Sequence, residues 1–325
     1  MKLFKELADT SVREEKSGEK SALEHILDCE KNIIDTFLKD EVFEGGYITN
    51  GLLYEELIIK TQNILQQDFI SESMIQAYIH SRENTAKDTE AHLRGMYSSA
   101  LLQLLCMKNS NQVTIDGRGK EFNFLFFMLK YAGNVTVKNF RGKNILAGAG
   151  SFGGSIKNID VSNIIGDGVL RYCAIVKGKA ENIVATRLKG AYLISSVGAD
   201  NGSAKNVTIT NCVGDNILSW LGCQEGSAEN IVATYLIGDN ALAMTSANKG
   251  YAKNVASSWI KGRENYDHSF IENHRKYAHF IPGKRYLLKK ITQLSEKISE
   301  ELPEKRKMIH KEIARLQKLL FGEKD

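Results

Sequence analysis

Apolar and polar positions in the middle of this chain recur with a period of 24 residues. Asparagine stands at Asn134, Asn158, Asn182, Asn206, Asn230 and Asn254, each followed by a β-branched residue: Val135, Ile159, Ile183, Val207, Ile231 and Val255. Two positions further lie Val137, Val161, Ala185, Ile209, Ala233 and Ser257. Side chains alternate along a strand, so these two columns point the same way. A second apolar pair recurs in the units: Ile145-Leu146, Val169-Leu170, Leu193-Ile194, Ile217-Leu218 and Ala241-Leu242. Glycine columns punctuate both, one at Gly142, Gly166, Gly190, Gly214, Gly238 and Gly262, the other at Gly154, Gly178, Gly202, Gly226 and Gly250. The pattern predicts two or three strands of about four or five residues per unit, separated by turns whose glycines take φ > 0. A single unit cannot bury its apolar side, so the copies must stack.

The flanks follow a different period. Leu23, Ile26, Leu27, Ile34, Phe37 and Leu38 make one helical stripe, and Leu52, Leu53, Leu57, Ile64 and Leu65 another, with Gly45-Gly46 between them. Residues 87–108 form a third helical candidate. After Gly262 the repeat stops, and Leu287, Ile291, Leu294 and Ile298, then Ile309, Ile313, Leu316 and Leu320, are spaced four, three, four. This predicts two helices broken near Pro303, with a coiled-coil-like seam. An internal hairpin would cover the seam, and so would pairing with a second chain; a homodimer is the expectation.

Stacked units of this length build a parallel β-helix, each coil about 4.8 Å above the last, with the asparagines as an internal amide ladder satisfying turn backbone. Proline is absent from 111–262, as it must be where every strand donates to its neighbours. The segments Gly133-Asn134-Val135-Thr136-Val137-Lys138-Asn139 and Lys205-Asn206-Val207-Thr208-Ile209-Thr210-Asn211 resemble the repeats of right-handed parallel β-helix, pectin-lyase-like proteins. The resemblance covers residues 111–262 and implies a fold, not an activity, because such proteins include polysaccharide-acting enzymes, tailspikes and non-enzymatic scaffolds. The six-residue period of a left-handed β-helix is missing. The expected architecture is an all-β right-handed parallel β-helix of 24-residue coils over 111–262. It is flanked by an α-helical cap or docking domain over 1–110 and by a basic aromatic segment and helical tail over 263–325. A cap has a physical purpose, since a bare solenoid end exposes unpaired strand edges.

Composition adds the compartment. The chain has 325 residues with 42% hydrophobic and 25% charged, which excludes wholesale disorder. Its longest aliphatic-aromatic run, Phe124 to Leu129, falls far short of the roughly 20 residues a membrane helix needs. The opening residues carry no hydrophobic signal region, and the five cysteines (Cys29, Cys106, Cys173, Cys212, Cys223) include no C-x-x-C pair. Reduced, mostly buried thiols in a cytoplasmic protein are expected. Charge is uneven: residues 271–325 hold 14 Lys+Arg against 8 Asp+Glu, so the tail carries the basic character.

All seven histidines lie outside 111–262, leaving the solenoid without its own imidazole. The outward column Thr136, Asp160, Val184, Thr208, Val232, Ala256 and its neighbour Lys138, Ser162, Thr186, Thr210, Thr234, Ser258 hold one carboxylate, too few for an acid and a base. This mostly neutral face suits packing. Asp167, Asp215 and Asp239 each follow a turn glycine; they could accept backbone N–H bonds, or Asp215 and Asp239 could share an ion. His268, His274 and His279 with Asp267 and Glu272 match no compact zinc motif, and no cofactor is expected. The segment 274–290 is different, with Arg275, Lys276, Lys284, Arg285, Lys289 and Lys290 interleaved with Tyr277, Phe280 and Tyr286, and no acidic residue. Cations neutralise phosphates while aromatics stack on exposed bases. Arg275, Lys276, Tyr277, Lys284, Arg285, Tyr286, Lys289 and Lys290 are therefore the candidate RNA-binding residues. The expectation is a non-enzymatic cytoplasmic scaffold that self-associates and docks on a structured RNA assembly, the ribosome being the most abundant. The alternative is a carbohydrate-active β-helix enzyme.

Overall fold

The computed structural model describes residues 22–38, 47–65, 70–83, 87–108, 112–245, 247–262, 271–276 and 284–322. Four helices come first: α1 (22–38), α2 (Tyr47–Ile64), α3 (Glu72–Ser81) and α4 (Asp88–Lys108). A parallel β-solenoid follows, built on β1 (Gln112–Asp116), β2 (Tyr131–Arg141), β3 (Ser155–Ile165), β4 (Lys179–Lys189), β5 (Ser203–Lys205), β6 (Val207–Val213), β7 (Ser227–Ile237), β8 (Tyr251–Lys261) and β9 (Ile271–Lys276). Two helices end the chain, α5 (Lys284–Ile298) and α6 (Pro303–Phe321).

The strands form one parallel sheet in chain order, β5 and β6 being two parts of one coil. Register is fixed by the repeat: Asn158 aligns with Asn182, Ile183 with Val207 and Val232 with Ala256. The inward columns, such as Val137, Ile159, Ile183, Ile209 and Ile231, are at most 1% exposed. The asparagine ladder is present. Asn158 donates to Asn134, and the chain of amides continues through Asn182→Asn158 (2.6 Å), Asn206→Asn182 (2.9 Å), Asn230→Asn206 (3.1 Å) and Asn254→Asn230 (2.8 Å). The amides bond one another, and Asn182 also donates to a backbone carbonyl of β3, Lys157 O at 3.3 Å. A side-chain ladder needs no backbone partner once the coils are in register.

Two expectations about the repeat need correction. The second apolar pair of each unit does not form further strands among the described residues. Its segment alternates between right- and left-handed residues, as at Asn144 (φ 56°), Leu146 (φ 55°), Gly148 (φ 74°) and Gly150 (φ 71°). The N–H groups of the left-handed residues point alternately to opposite neighbours, Asn144 up to Asp167 O at 2.7 Å and Leu146 down to Leu125 O at 2.8 Å, while residues between them bond locally, as Ala147 does to Asn144 O. Ladder pairing is kept without an extended strand. The two glycine columns also differ. Gly214 has φ 150° and its missing Cβ would lie 1.7 Å from Gly190 O, whereas Gly202 has no positive φ and is required only by closeness, 1.8 Å from Ala174 O.

The N-terminal helices close the first coil. Glu72 and Gln76 of α3 accept from the β1 backbone N–H of Thr114 (3.2 Å) and Asp116 (3.0 Å), and Gln76 donates back to Asp116 O. On α4, Ser98 accepts from Phe126 N–H at 3.0 Å and Ser99 donates to Phe127 O at 2.8 Å. All five cysteines are free thiols, and burial pushes Cys106 up to about 11 and Cys173 and Cys212 up to about 12. No described helix is long and apolar enough to cross a membrane.

The C-terminal helices lie on the outer face of the sheet. Val184, Val232 and Ala256 of the outward column share one buried cluster with Leu288, Ile291, Ile298, Ile313, Leu316, Leu320 and Phe321. The seam expected to pair with a second chain is thus covered within the chain, which removes that argument for a homodimer. The fit has a geometric cause. A seam advancing 3.5 residues at 1.5 Å each climbs about 5.2 Å, close to the roughly 4.8 Å between strands. Each turn of helix therefore meets one coil.

Candidate nucleic-acid interface

The helical hairpin has an inner, sheet-facing side and an outer side, and polar groups on the inner side set its position. Along α6, Arg306 donates to Thr114 Oγ1 (2.6 Å) and Thr136 Oγ1 (2.8 Å), and Gln317 donates to Thr208 Oγ1 (3.1 Å) and Asn230 O (3.0 Å). Between them His310 Nε2 lies 2.8 Å from Asp160 Oδ1, off the line of a straight hydrogen bond, with both side chains 5% exposed. On α5, Thr292 meets Thr234 at 3.1 Å, Glu296 accepts from Asn211, and Glu300 pairs with Arg187 at 3.3 Å. A helix shifted one turn along the solenoid would set His310 against Val184, which stands one coil beyond Asp160, leaving a buried polar group unpaired at a cost of about 1–3 kcal/mol.

Sequence reading found no imidazole for the solenoid face; the fold supplies one by laying His310 on Asp160. With Arg306, whose guanidinium burial pushes below its usual range while Asp160 opposes the shift, they surround a cavity of about 10 Å³. That holds about one water and no sugar ring. The turn carboxylates act as backbone acceptors, Asp167 from Ala191 N–H (2.7 Å) and Asp215 from Asp239 N–H (2.8 Å), each reaching the next coil. Among the described residues no group of three or more His, Cys, Asp or Glu side chains could hold a metal. His268 and His279 lie outside the described residues, and only the backbone of His274 is described.

The candidate RNA-binding residues are placed unequally. Arg275 and Lys276 are in β9, in register with Ala256 and Ser257, with only their backbone described. Tyr277 lies outside the described residues, as does the side chain of Arg285. Lys284 is turned inward, donating to Leu320 O at 2.6 Å, and Lys290 pairs with Glu312 at 3.2 Å. Tyr286 is 65% exposed and Lys289 is also exposed.

The outer side extends this surface along residues that sequence reading did not single out. Lys297 on α5 and Lys307, Lys311 and Lys318 on α6 are exposed and, like Lys289, have no hydrogen-bond or ion-pair partner among the described residues. Lys307, Lys311 and Lys318 are spaced four and seven apart, one stripe of the helix. Most carboxylates of the hairpin are engaged: Glu296 with Asn211, Glu300 with Arg187, Glu301 with Lys305 (3.4 Å), and Glu312 with Arg315 and Lys290. The hydrogen bonds from Arg315 and Lys290 hold the Glu312 carboxyl down at about 2. Glu304 stands exposed. The signal in the sequence was the lysine stripe opposite the apolar seam. Comparison with protein-family models, with curated proteins and with solved structures found no match, so neither family nor function comes from similarity.

Proposed function

We propose that this protein is a non-enzymatic scaffold that docks on a phosphate-rich RNA assembly through the outer side of its C-terminal hairpin. The carrying observation is the five exposed lysines, Lys289, Lys297, Lys307, Lys311 and Lys318, without a described carboxylate partner on an element whose other side is anchored to a rigid solenoid. Unpaired cations on a fixed surface neutralise phosphates without first losing a partner, and the released counterions drive association. The ribosome, the most abundant structured RNA of the cytoplasm, is the proposed target.

Five phosphate contacts give a log–log salt slope of roughly −3.5, or about a hundredfold weaker binding between 50 and 200 mM salt. Co-sedimentation with ribosomal particles should show that decline. Lys307→Glu, Lys311→Glu and Lys318→Glu together should abolish it, with the far-UV circular dichroism unchanged because all three side chains face solvent. Binding indifferent to salt and to the triple reversal would reject the proposal.

A further inference from the structure

Beside the hairpin, one column of the solenoid changes character at its last two described positions, in β7 and β8. The residue five places after each ladder asparagine is left out of strand pairing and takes a left-handed conformation: Asn139, Asn163, Arg187, Asn211, Tyr235 and Trp259, with φ between 54° and 60°. Asparagine adopts this backbone readily; bulky side chains do so at a cost. Where asparagine is present it is also bonded, Asn139 to Asp116 Oδ1 (2.9 Å), Asn163 to Asn139 (3.0 Å) and Asn211 to Glu296. Tyr235 and Trp259 abandon that arrangement. Their rings stack at 4.6 Å with an interplanar angle of 4°, yet stay 41% and 39% exposed. A packing role would bury them.

The surroundings are cationic. Lys261, two residues beyond Trp259 and on the same side of the strand, is exposed. On α5 the stripe that carries Glu296 to Asn211 and Glu300 to Arg187 also carries Lys289, seven residues before Glu296. Seven helical residues climb about 10.5 Å and two coils about 9.6 Å, so Lys289 comes level with Trp259. Tyr286 lies one turn further on, on the outer side of the hairpin.

We infer that Tyr235 and Trp259 form a base-stacking platform for unpaired nucleotides, the adjoining Lys261 and Lys289 holding the phosphates. Aromatic rings beside a basic track take single strands irrespective of sequence, because every base has a π-face; paired bases cannot reach them. This inference rests on the RNA-docking reading and narrows it to RNA with unpaired segments.

The chain has two tryptophans, so Trp220→Phe leaves Trp259 as the sole indole reporter. The probes are a 12-nucleotide oligoadenylate strand and its duplex with oligouridylate. Titration of the strand into the full-length Trp220→Phe protein should quench Trp259 emission, with little quenching by the duplex. In the otherwise native protein, Tyr235→Asn with Trp259→Asn restores the column's own residue and keeps the left-handed backbone unstrained. It should weaken strand binding about tenfold or more and duplex binding less than twofold. An unquenched Trp259, or equal strand affinity in the double variant, overturns the platform. If the lysine reversals alone still abolish binding, docking stands and stacking falls; if neither set matters, both fall. Quenching by a neutral oligoglucan instead of the strand would also overturn it, making the surface a sugar site.

Discussion

Asn206 offers a test in which two physical terms separate. Its amide donates to Asn182 and its carbonyl accepts from Asn230, and its φ is 51°. Asn206→Leu therefore leaves two side-chain amide groups unpaired, each worth about 1 kcal/mol at their half-buried to buried positions. It also places a leucine in a left-handed backbone at a cost of roughly 1 kcal/mol more. The expected loss is about 3 kcal/mol. Asn206→Gly removes the amide but tolerates the backbone, and should cost about 2 kcal/mol before glycine's own unfolded-state entropy adds a few tenths. At Asn182, where φ is not positive, leucine removes two similar bonds and the longer one to Lys157 O without the conformational term, and should cost about 2 kcal/mol or slightly more. Urea unfolding followed by circular dichroism, compared at a common m value, reads all three. If Asn206→Leu costs no more than Asn206→Gly, the left-handed constraint is wrong. If Asn182→Leu costs under about 0.5 kcal/mol, the amide ladder carries no stability.

Two further outcomes follow from the geometry. Gly202→Ala should cost more than about 2 kcal/mol by driving a methyl into Ala174 O, whereas Gly153→Ala, whose Cβ meets nothing within 4 Å, should cost only about 1 kcal/mol for its φ of 73°; thermal melts showing equal losses would contradict the close-approach account. Glu312, held at about 2 when folded, stabilises the hairpin at pH values above the ordinary glutamate range, and that contribution is lost as pH falls toward 2. Glu312→Gln should therefore lower stability at pH 6 and flatten its fall between pH 5 and 2; an identical acid profile in the variant would mean the bonds from Arg315 and Lys290 do not persist in solution.

Much of the fold could be read from the chain because a solenoid writes each structural demand once per coil. Asn158, Asn182 and Asn206 reported the ladder, and Gly190 and Gly214 the crowded corner, by position alone. The second half of each coil was misread because Leu146, Leu170 and Ile194 point inward in an alternating left-handed segment much as they would in a strand, so hydrophobic pattern does not distinguish the two. The tail helices were legible through Ile291, Ile298, Ile313 and Leu320, but an apolar stripe carries no address. The address lay in the polar seam: Arg306, His310 and Gln317 match Thr136, Asp160 and Thr208, a correspondence invisible until the outward column is known to face a helix. Of the residues the sequence suggested for RNA contact, Tyr286 and Lys289 are exposed, whereas Lys284 and Lys290 hold the hairpin together. Lys297, Lys307, Lys311 and Lys318 were passed over because their stripe gains meaning only once the opposite stripe is buried.

Helix and solenoid run alongside each other like the two scales of a vernier. Per contact the helix gains about 0.4 Å on the coils, so after five contacts it is about 2 Å ahead, nearly half a coil, unless it leans. The polar pairs spread from Thr136 to Thr208 lie within the span where the scales still agree. Most solenoids can lengthen by duplicating a unit, since each unit meets only its neighbours. Here a duplicated coil would push Asp160 away from His310, or Thr208 away from Gln317, unless each helix lengthened by about three residues in the same event. The strap on its face therefore fixes how many coils lie between Thr136 and Thr208.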